Sequence, residues 1–345
     1  MGMRDEILEQ PGVIERLIAD QQVPMARLAA RLRRRAIDSV VIAARGTSDH
    51  AAIYAQYVLG TRHRLPVALA TPSVLSLYGA APRFRRALVV GISQSGASPD
   101  VVGIVEAGRT QGVPTLAITN DPGSALAAAA DDVVDLGAGP ELAVAATKTY
   151  TAELAAVAML STAIAEGPRT GADALARLPT ALSGALRTEP EAERIATAQR
   201  AISHGVVLGR GYEYATAREW ALKLQELTQV LAAPYSTADF QHGPIALTGP
   251  GFPAFAVVSG GAVSADLLAV LRRMRSMGAD LLVVSNRQAL RDAGAHSLAL
   301  PGRIPEWLMP IVSIVPCQLH AMHLARAKGL DPDAPRHLRK VTLTH

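Results

Sequence analysis

Short apolar runs of strand length alternate with stretches of helical periodicity along most of this chain. Three clear runs are residues 39–44, 87–92 and 115–119. A turn rich in Gly or Ser follows each run, and a helical pattern follows each turn. Continuous apolar strands that alternate with helices are typical of right-handed βαβ units, in which helices cover both faces of a parallel sheet. The pattern therefore predicts an α/β protein.

The chain also repeats itself at an offset of 166 residues, without a gap. The matched positions are Ser93, Ser98, Asp100, Gly112 and Asn120 with Ser259, Ser264, Asp266, Gly278 and Asn286. This period is too long for a solenoid and fits a duplicated domain. The predicted organisation is a helical lead-in (1–35), a first domain (36–165), a helical connector (166–199), a second domain (200–330) and a C-terminal tail (331–345) that reaches the active site.

Composition supports two well-filled cores. The chain has 345 residues, of which 49% are hydrophobic and 19% charged, so sizeable cores form and disorder is not expected. The N-terminus lacks the apolar stretch of a signal peptide. The nearest approach to a membrane span, residues 307–325, contains Pro, Gln and His, and we interpret it as a buried helix. We therefore expect a cytoplasmic protein without a membrane segment.

Charge and cysteine content exclude further classes. The formal net charge is +4, and the one dense basic run, residues 31–35, has no aromatic residues among its arginines. We interpret that run as a solvated helix face and expect no nucleic-acid partner. Cys317 is the only cysteine, which excludes a disulfide framework and a cysteine-based zinc site. His320 and His323 lie on an apolar helix and are interpreted as core residues, so neither a metal nor a cofactor is expected.

Lysine is rare in this chain. Only four of the 34 basic residues are lysines: Lys148, Lys223, Lys328 and Lys340. Arginine cannot form an imine or change its protonation near neutral pH. A lysine that is kept in such a background is therefore a candidate for a role that needs a primary amine.

A turn rich in hydroxyl groups, residues 93–98, lies between an apolar strand and a helix. Ser98 suits the N-cap position, and Pro99 suits the first helical position. A helix N-terminus attracts phosphate through its free N–H groups and its dipole. The turn adds four side chains that can donate hydrogen bonds: Ser93, Gln94, Ser95 and Ser98. A phosphate cradle and an ordinary capped turn both explain these residues, so both remain open at this point.

A second turn, residues 45–50, also joins a strand to a helix. Turns that follow parallel strands meet at the sheet edge where open α/β sheets bind ligands. Thr47 and Ser48 could therefore contact a sugar or its phosphate, whereas His50 is expected to help cap the helix rather than to catalyse.

Three further residues have chemistry suited to proton transfer. Lys223 and Glu226 are spaced i, i+3 on a helical pattern and share one face. His242 precedes Gly243 and Pro244 in a turn, and Lys340 lies near the C-terminus. A surface ion pair, a histidine bonded to the backbone and a solvated tail lysine are the alternative interpretations.

Taken together, the motifs resemble the SIS-type (sugar isomerase) glucosamine-6-phosphate deaminases and the isomerase part of glucosamine-6-phosphate synthase (glutamine–fructose-6-phosphate aminotransferase). The matching segments are EQP (9–11), GTSDH (46–50), PSVLSLYG (72–79), SQSGASPD (93–100), VAATKTY (144–150), LGRG (208–211), ALKLQE (221–226), DFQHGP (239–244) and LRKVT (338–342). The resemblance implies two tandem SIS domains, each a five-stranded parallel sheet flanked by helices, in a homodimer.

The resemblance also implies roles for individual residues. Glu226 would shuttle the proton between C1 and C2, and Lys223 would support the enolamine or enolate. His242 would assist ring opening across the dimer interface, and Lys340 would approach the open-chain carbonyl as imine partner or electrostatic aid. The implied sugar-phosphate-binding residues are Thr47, Ser48, Ser93, Gln94, Ser95, Ser98 and Ala145.

The chain departs from the synthase pattern at the sugar site. Leu231 and Ala233 replace a histidine and a glutamate, and Ala146 replaces a serine. Since the sole cysteine, Cys317, is not the N-terminal nucleophile of a glutaminase, we expect ammonia release from glucosamine 6-phosphate, which gives fructose 6-phosphate. The alternatives are a fructosamine-phosphate deglycase, a galactosamine-phosphate deaminase, a simple phosphosugar isomerase, or a non-catalytic phosphosugar sensor.

Overall fold

A computed structural model describes residues 2–165 and 169–340 of the chain. These residues group into two compact bodies. The N-terminal body comprises Gly12–Glu141, Lys148–Ala176 and the chain from Arg339. The C-terminal body comprises the residues up to Pro11, together with Leu142–Thr147 and Arg177–Leu338. Each body is described by itself.

The N-terminal body contains a five-stranded parallel sheet. Its strands are β1 (Ser39–Ala43), β2 (Val67–Leu69), β3 (Ala87–Ile92), β4 (Thr115–Thr119) and β5 (Asp132–Asp135), in the spatial order β2-β1-β3-β4-β5. Every residue of β3 and β4 is buried. This matches the predicted sheet, whose continuous apolar strands are covered on both faces.

Helices surround this sheet. They are α1 (Met3–Arg34, which belongs to this body from Gly12), α2 (Thr47–His63), α3 (Pro72–Ser76), α4 (Pro99–Thr110), α5 (Ala125–Ala129), α6 (Lys148–Ile164) and α7 (Arg169–Leu175). Val89 and Ala117 of the sheet pack with Ile104, Val105 and Leu126 in one apolar cluster. Helix α6 is buried from Lys148 to Ser161, so its polar side chains must find partners inside the body.

The C-terminal body repeats the architecture. Its strands are β6 (His204–Gly209), β7 (Leu231–Ser236), β8 (Pro253–Val258), β9 (Asp280–Ser285) and β10 (His296–Ala299), in the order β10-β9-β8-β6-β7. Its helices are α8 (Leu178–Leu186), α9 (Glu189–Ala198), α10 (Glu213–Thr228), α11 (Thr237–Gln241), α12 (Ser264–Ser276), α13 (Gln288–Arg291) and α14 (Met309–Ala327). Read from its other edge, the strand order equals that of the N-terminal body, which confirms the predicted duplication and the predicted pair of five-stranded sheets.

Helix α14 is the apolar segment noted in the sequence. Within the described ranges, one stretch, Glu306–Ala327, is long and apolar enough to cross a membrane, and its most apolar window is entirely buried. Pro316 lies inside the helix, and Cys317 is buried, with its thiol donating to the Ser313 carbonyl oxygen at 3.2 Å. The interpretation of this segment as a buried helix is confirmed.

The two bodies also share a glycine turn after the first strand and an ion pair that anchors it. A glycine with positive φ follows the first strand of each sheet: Gly46 (φ 56°) after β1 and Gly211 (φ 62°) after β6. The preceding arginine forms an ion pair with an aspartate in the first turn of the helix after the next central strand. These pairs are Arg45 with Asp100 (2.6 Å) and Arg210 with Asp266 (3.1 Å). Each pair fixes two neighbouring turns at the carboxyl edge of its sheet.

Gly209, the last residue of β6, offers a test of this packing. A Cβ at this position would overlap the carbonyl oxygen of Glu213 and lie 2.9 Å from the Ala217 Cβ atom. We therefore expect Gly209→Ala to lower the free energy of unfolding by about 1–3 kcal/mol, measured by urea denaturation. Gly60→Ala is the matched control, because a Cβ there meets only the Leu65 carbonyl oxygen, at 3.8 Å. Equal stability of the two variants would contradict the close approach.

Candidate functional site

The serine loop (residues 93–98) connects β3 to α4 in the N-terminal body. Ser98 is the N-cap of α4 and Pro99 its first residue, as the sequence predicted. The Ser98 hydroxyl makes no capping hydrogen bond to its own helix. The Gly96 N–H donates to Ser93 Oγ (3.1 Å), and the Ala97 N–H donates to Ser95 Oγ (3.3 Å). The loop thus forms a compact turn at a helix N-terminus, a geometry that suits an anion.

Gly96 is required for this turn. Its φ is 60°, and a Cβ would overlap the Ser124 hydroxyl and lie 3.1 Å from Thr119 Oγ1. Gln94 adds a second anchor, since its carbonyl oxygen accepts from the Asn120 N–H at 3.1 Å. The segment that follows β4 therefore contacts and anchors the serine loop.

Arg45 ties the neighbouring turn to the helix that begins after the serine loop. Its Nε and Nη2 atoms each lie 2.6 Å from Oδ2 of Asp100, whose side chain is fully buried. The Arg45 side chain itself is 45% exposed. A guanidinium that is both anchored and exposed leaves positive charge at the edge of the sheet, which favours an anionic ligand.

Ser48 is already engaged in this structure. Its hydroxyl donates to Oε1 of Glu153 on α6 at 2.7 Å, and both residues are buried. Because the Ser48 hydroxyl donates to Glu153, it can accept a hydrogen bond from a ligand but cannot donate one. Thr47 next to it is half-buried, and His50 is buried in α2. The roles of Thr47 and Ser48 in substrate binding stay predictions.

Lys340 is held by a buried carboxylate. Its Nζ lies 2.8 Å from Oε2 of Glu141, which also accepts from Thr149 Oγ1 at 2.7 Å, while Glu141 Oε1 accepts from the Thr149 N–H at 3.1 Å. Thr149 and Glu153 are i, i+4 on α6 and so lie on one face. Lys340 and Ser48 are thus attached, through their partners, to that face one helical turn apart. The last two residues of the tail motif, 341 and 342, lie outside the described residues.

In the C-terminal body, Lys223 and Glu226 form a buried ion pair rather than a surface one. Lys223 Nζ lies 2.5 Å from Glu226 Oε2 and 3.2 Å from Glu219 Oε1. The side chains of Lys223 and Glu219 are fully buried, whereas that of Glu226 is 22% exposed. Burial alone would lower the pKa of Lys223, but the charges of Glu219 and Glu226 outweigh it and hold the pKa above its ordinary value. Glu226 is therefore held by the buried ammonium of Lys223, with part of its carboxylate accessible.

Two further predicted residues, His242 and Ala145, belong to the same body as this pair. His242 follows α11 and is exposed, and no hydrogen bond joins it to Glu226 in the described part of the chain. Ala145 is buried in the segment Leu142–Thr147. The Glu6 carboxylate holds that segment by accepting from the N–H groups of Leu142 and Ala143.

Sequence reasoning missed the buried carboxylates. Glu219 could have been found, because it lies four residues before Lys223 on the same helix. Asp100 was marked by its recurrence as Asp266, although its pairing with Arg45 was not predicted, and Glu153 gave no distinct signal. Glu141 is 199 residues from its partner Lys340, and nothing in the local pattern connects them.

The histidines of α14 behave as core residues, as predicted. His320 is fully buried, contacts the rings of Trp220 and Phe255, and hydrogen-bonds Gln199 Oε1 at 3.0 Å. Burial lowers the pKa of His320 to about 3, so the ring is neutral. Among residues 2–165 and 169–340, no group of three or more His, Cys, Asp or Glu side chains could hold a metal ion.

Glu213 is a buried carboxyl group at the start of α10. Its Oε2 accepts from the Thr216 and Ser313 hydroxyls, both at 2.7 Å. Burial raises its pKa to about 7, and the nearby charge of Glu306 adds to the effect, whereas the hydroxyl donors oppose it. The group therefore carries a proton through most of the range below neutral pH.

The sequence pattern of the SIS domain family matches residues 35–163 and 201–326. A glutamine–fructose-6-phosphate aminotransferase (isomerizing) from Pyrococcus horikoshii is 32% identical over 98% of this chain and 57% of its own length. The one from Gloeobacter violaceus is 34% identical over 98% of this chain and 58% of its own. The chain thus spans little more than half the length of these relatives.

Solved structures give the same picture. A protein named as a phosphosugar isomerase from Silicibacter pomeroyi is 36% identical, with a TM-score of 0.86 over 96% of this chain and all of the other. The C-terminal domain of a glucosamine-fructose-6-phosphate aminotransferase from Francisella tularensis is 27% identical, with a TM-score of 0.88 over 96% and 98%. A glucosamine-6-phosphate deaminase from Thermotoga maritima, 20% identical with a TM-score of 0.78 over 99% of both chains, shares the fold.

The buried carboxyl of Glu213 predicts a pH-dependent stability. Between pH 4.5 and 7 the folded protein keeps a proton that the unfolded chain has lost, so stability falls as the pH rises. The shift corresponds to about 3 kcal/mol across this window. We expect Glu213→Gln to remove this slope. The free energy of unfolding of the variant, measured relative to that of the wild type, should therefore be higher at pH 8 than at pH 5.

Urea denaturation between pH 5 and 8 measures the effect. Glu15→Gln, at an exposed glutamate, is the matched control and should keep the wild-type slope. Parallel profiles for the wild type and the Glu213 variant would show that Glu213 titrates normally.

Proposed function

The chain belongs to the SIS domain family, and on that premise we propose that it is an isomerising deaminase that converts glucosamine 6-phosphate to fructose 6-phosphate and ammonia. The observation that carries the proposal is the buried Lys223–Glu226 ion pair, in which an accessible carboxylate is fixed by a fully buried ammonium. Enolisation next to a carbonyl or imine needs a positioned base of this kind. The enzyme is proposed to work as a homodimer.

The serine loop binds the substrate phosphate in this proposal. Ser93, Ser95 and Ser98 donate hydroxyl groups at the N-terminus of α4, and the Ser98 hydroxyl is not used by the helix. The exposed guanidinium of Arg45 adds positive charge beside the loop. Phosphate binding at a distance from C1 and C2 would supply the energy that orients the reacting carbons.

The reaction begins with ring opening, which His242 assists, to give the C1 aldehyde with the amine at C2. Glu226 removes the C2 proton while the C1 oxygen takes up a proton, which gives the C1–C2 enolamine. The same carboxyl group then returns the proton to C1 while the C2 amine loses one, which leaves an imine at C2. Water adds to this imine, ammonia leaves, and the C2 ketone of fructose 6-phosphate results. The ammonium of Lys223 keeps Glu226 in place and offsets the negative charge that develops during enolisation.

Lys340 acts on the open-chain carbonyl in this scheme. Its contact with buried Glu141 fixes the side chain, and the attachment of Glu141 and Ser48 to one face of α6 supports a place near the sugar. The amine can form an imine with the aldehyde or polarise it as an ammonium. A charge-only role and a covalent role predict different chemistry, as tested below.

A second candidate is a simple aldose–ketose isomerase of a phosphosugar. The 36% identity to a protein named as a phosphosugar isomerase favours it. Both activities use the same proton transfer, but only the deaminase releases ammonia. We propose to measure ammonia release and ketose formation from glucosamine, galactosamine and fructosamine 6-phosphates, with glucose 6-phosphate as the amine-free comparison. Ketose formation without ammonia would favour the isomerase, and binding without turnover would favour a sensor.

Glu226→Gln tests the proton shuttle. The amide keeps the size of the side chain but removes the base, so we expect kcat to fall by about 10²–10⁴-fold. Exchange of the C2 proton with deuterated solvent, followed by NMR, should stop, while sugar-phosphate binding persists. Glu106→Gln, at an exposed glutamate of α4, is the control and should leave exchange unchanged. Exchange near the wild-type rate in the Glu226 variant would exclude this role.

Lys340→Arg tests the amine. Arginine retains the charge and can still pair with Glu141, but it cannot form an imine. We expect activity to fall steeply, and borohydride to trap substrate on the wild type and not on the variant. Lys328→Arg is the matched control, since Lys328 Nζ binds the backbone carbonyl oxygens of Arg200 and Ile202. Substantial activity of the Lys340 variant without trapping in either protein would indicate a charge-only role. An adduct mapped to Lys223 would show that the imine forms at Lys223 and not at Lys340.

A further inference from the structure

The C-terminal body has its own counterpart of the serine loop. This glycine loop (residues 259–264) joins β8 to α12, as the serine loop joins β3 to α4. The neighbouring turn is tied to α12 by Arg210 and Asp266, as Arg45 and Asp100 tie the turn in the other body. The duplicated arrangement of strand, loop and helix therefore places a second helix N-terminus at the edge of the second sheet, where an anion would be attracted.

Glu306 occupies this second position. Its Oε2 accepts from the Ala262 N–H at 3.1 Å. Its carboxyl group packs directly on Gly261, where a Cβ would overlap the carboxyl carbon and both oxygens. Gly261 therefore has to lack a side chain because Glu306 fills the space above it.

We infer that the Glu306 carboxylate stands in for a phosphate in the glycine loop and so restricts phosphate binding to the serine loop, one site per chain. A carboxylate and a phosphate both accept backbone N–H donors, so either can satisfy the loop. With Glu306 in place, an incoming phosphate meets negative charge instead of free donors. The comparison with the serine loop rests on the proposed phosphate role of that loop.

The other groups of the glycine loop agree with an internal partner. The Ser264 hydroxyl donates to the Gly261 carbonyl oxygen at 2.7 Å, and Ser259 is buried. The Gly260 N–H donates to Asn286 Oδ1 at 2.8 Å. The donors of this loop are thus largely used within the body, whereas the serine loop keeps the Ser98 hydroxyl unused by its helix.

Glu306→Ala should open the second position. We would measure bound inorganic phosphate by equilibrium dialysis, and locate anions in crystals soaked with tungstate through its anomalous scattering. The wild type should bind one anion per chain, at the serine loop. The variant should bind two, the second one at the Ala262 N–H. Glu306→Ser serves the same purpose should the alanine variant not fold.

Glu15→Ala is the matched control, because it removes one negative charge from an exposed site elsewhere. It should bind one anion per chain. A second anion in the wild type or in this control, or none at the glycine loop of the Glu306 variants, would overturn the inference. If the Glu306 variant binds an anion at the glycine loop while no protein binds one at the serine loop, the proposed function loses its phosphate site but the role of Glu306 stands.

Discussion

The ion pair between Arg45 and Asp100 is the contact on which the carboxyl edge of the sheet in the N-terminal body depends. It joins the turn after β1 to the helix after β3, and these are the two turns that carry the predicted phosphate-binding groups. Asp100 is buried, and its carboxylate is paired with this arginine. The same arrangement recurs as Arg210 with Asp266, so the duplicated domain inherited a rigid frame at each sheet edge.

The groups at the carboxyl edge of the sheet differ between the two bodies. In the N-terminal body, hydroxyl groups of the serine loop border the edge, and the buried carboxylates of Glu141 and Glu153 accept hydrogen bonds from Lys340 and Ser48. In the C-terminal body, Glu306 accepts from the Ala262 N–H of the glycine loop, and Glu213 is a buried acid with a raised pKa. A carboxylate thus contacts the glycine loop, whereas the serine loop keeps the Ser98 hydroxyl unused by its helix. In the proposed function, this difference leaves one phosphate site per chain.

The four lysines show how a rare residue type is used. Lys223 is a buried ammonium between two carboxylates, and Lys340 is paired with a third. Lys148 is buried at the start of α6, and Lys328 binds backbone carbonyl oxygens. The rarity of lysine marks all four residues equally and so does not separate Lys328 from the others.

The sequence by itself determined the elements and their duplication. The runs at β3 and β4, the N-cap at Ser98 and the recurrence of Asp100 as Asp266 follow from periodicity, capping preference and repetition, which are local properties of the chain. Only the tertiary structure decided which carboxylates are buried and which residues they contact. Glu141 pairs with Lys340 across 199 residues, and Glu306 covers Gly261. Such contacts depend on how distant elements pack, and a side chain's neighbours in space leave no pattern in its neighbours along the chain.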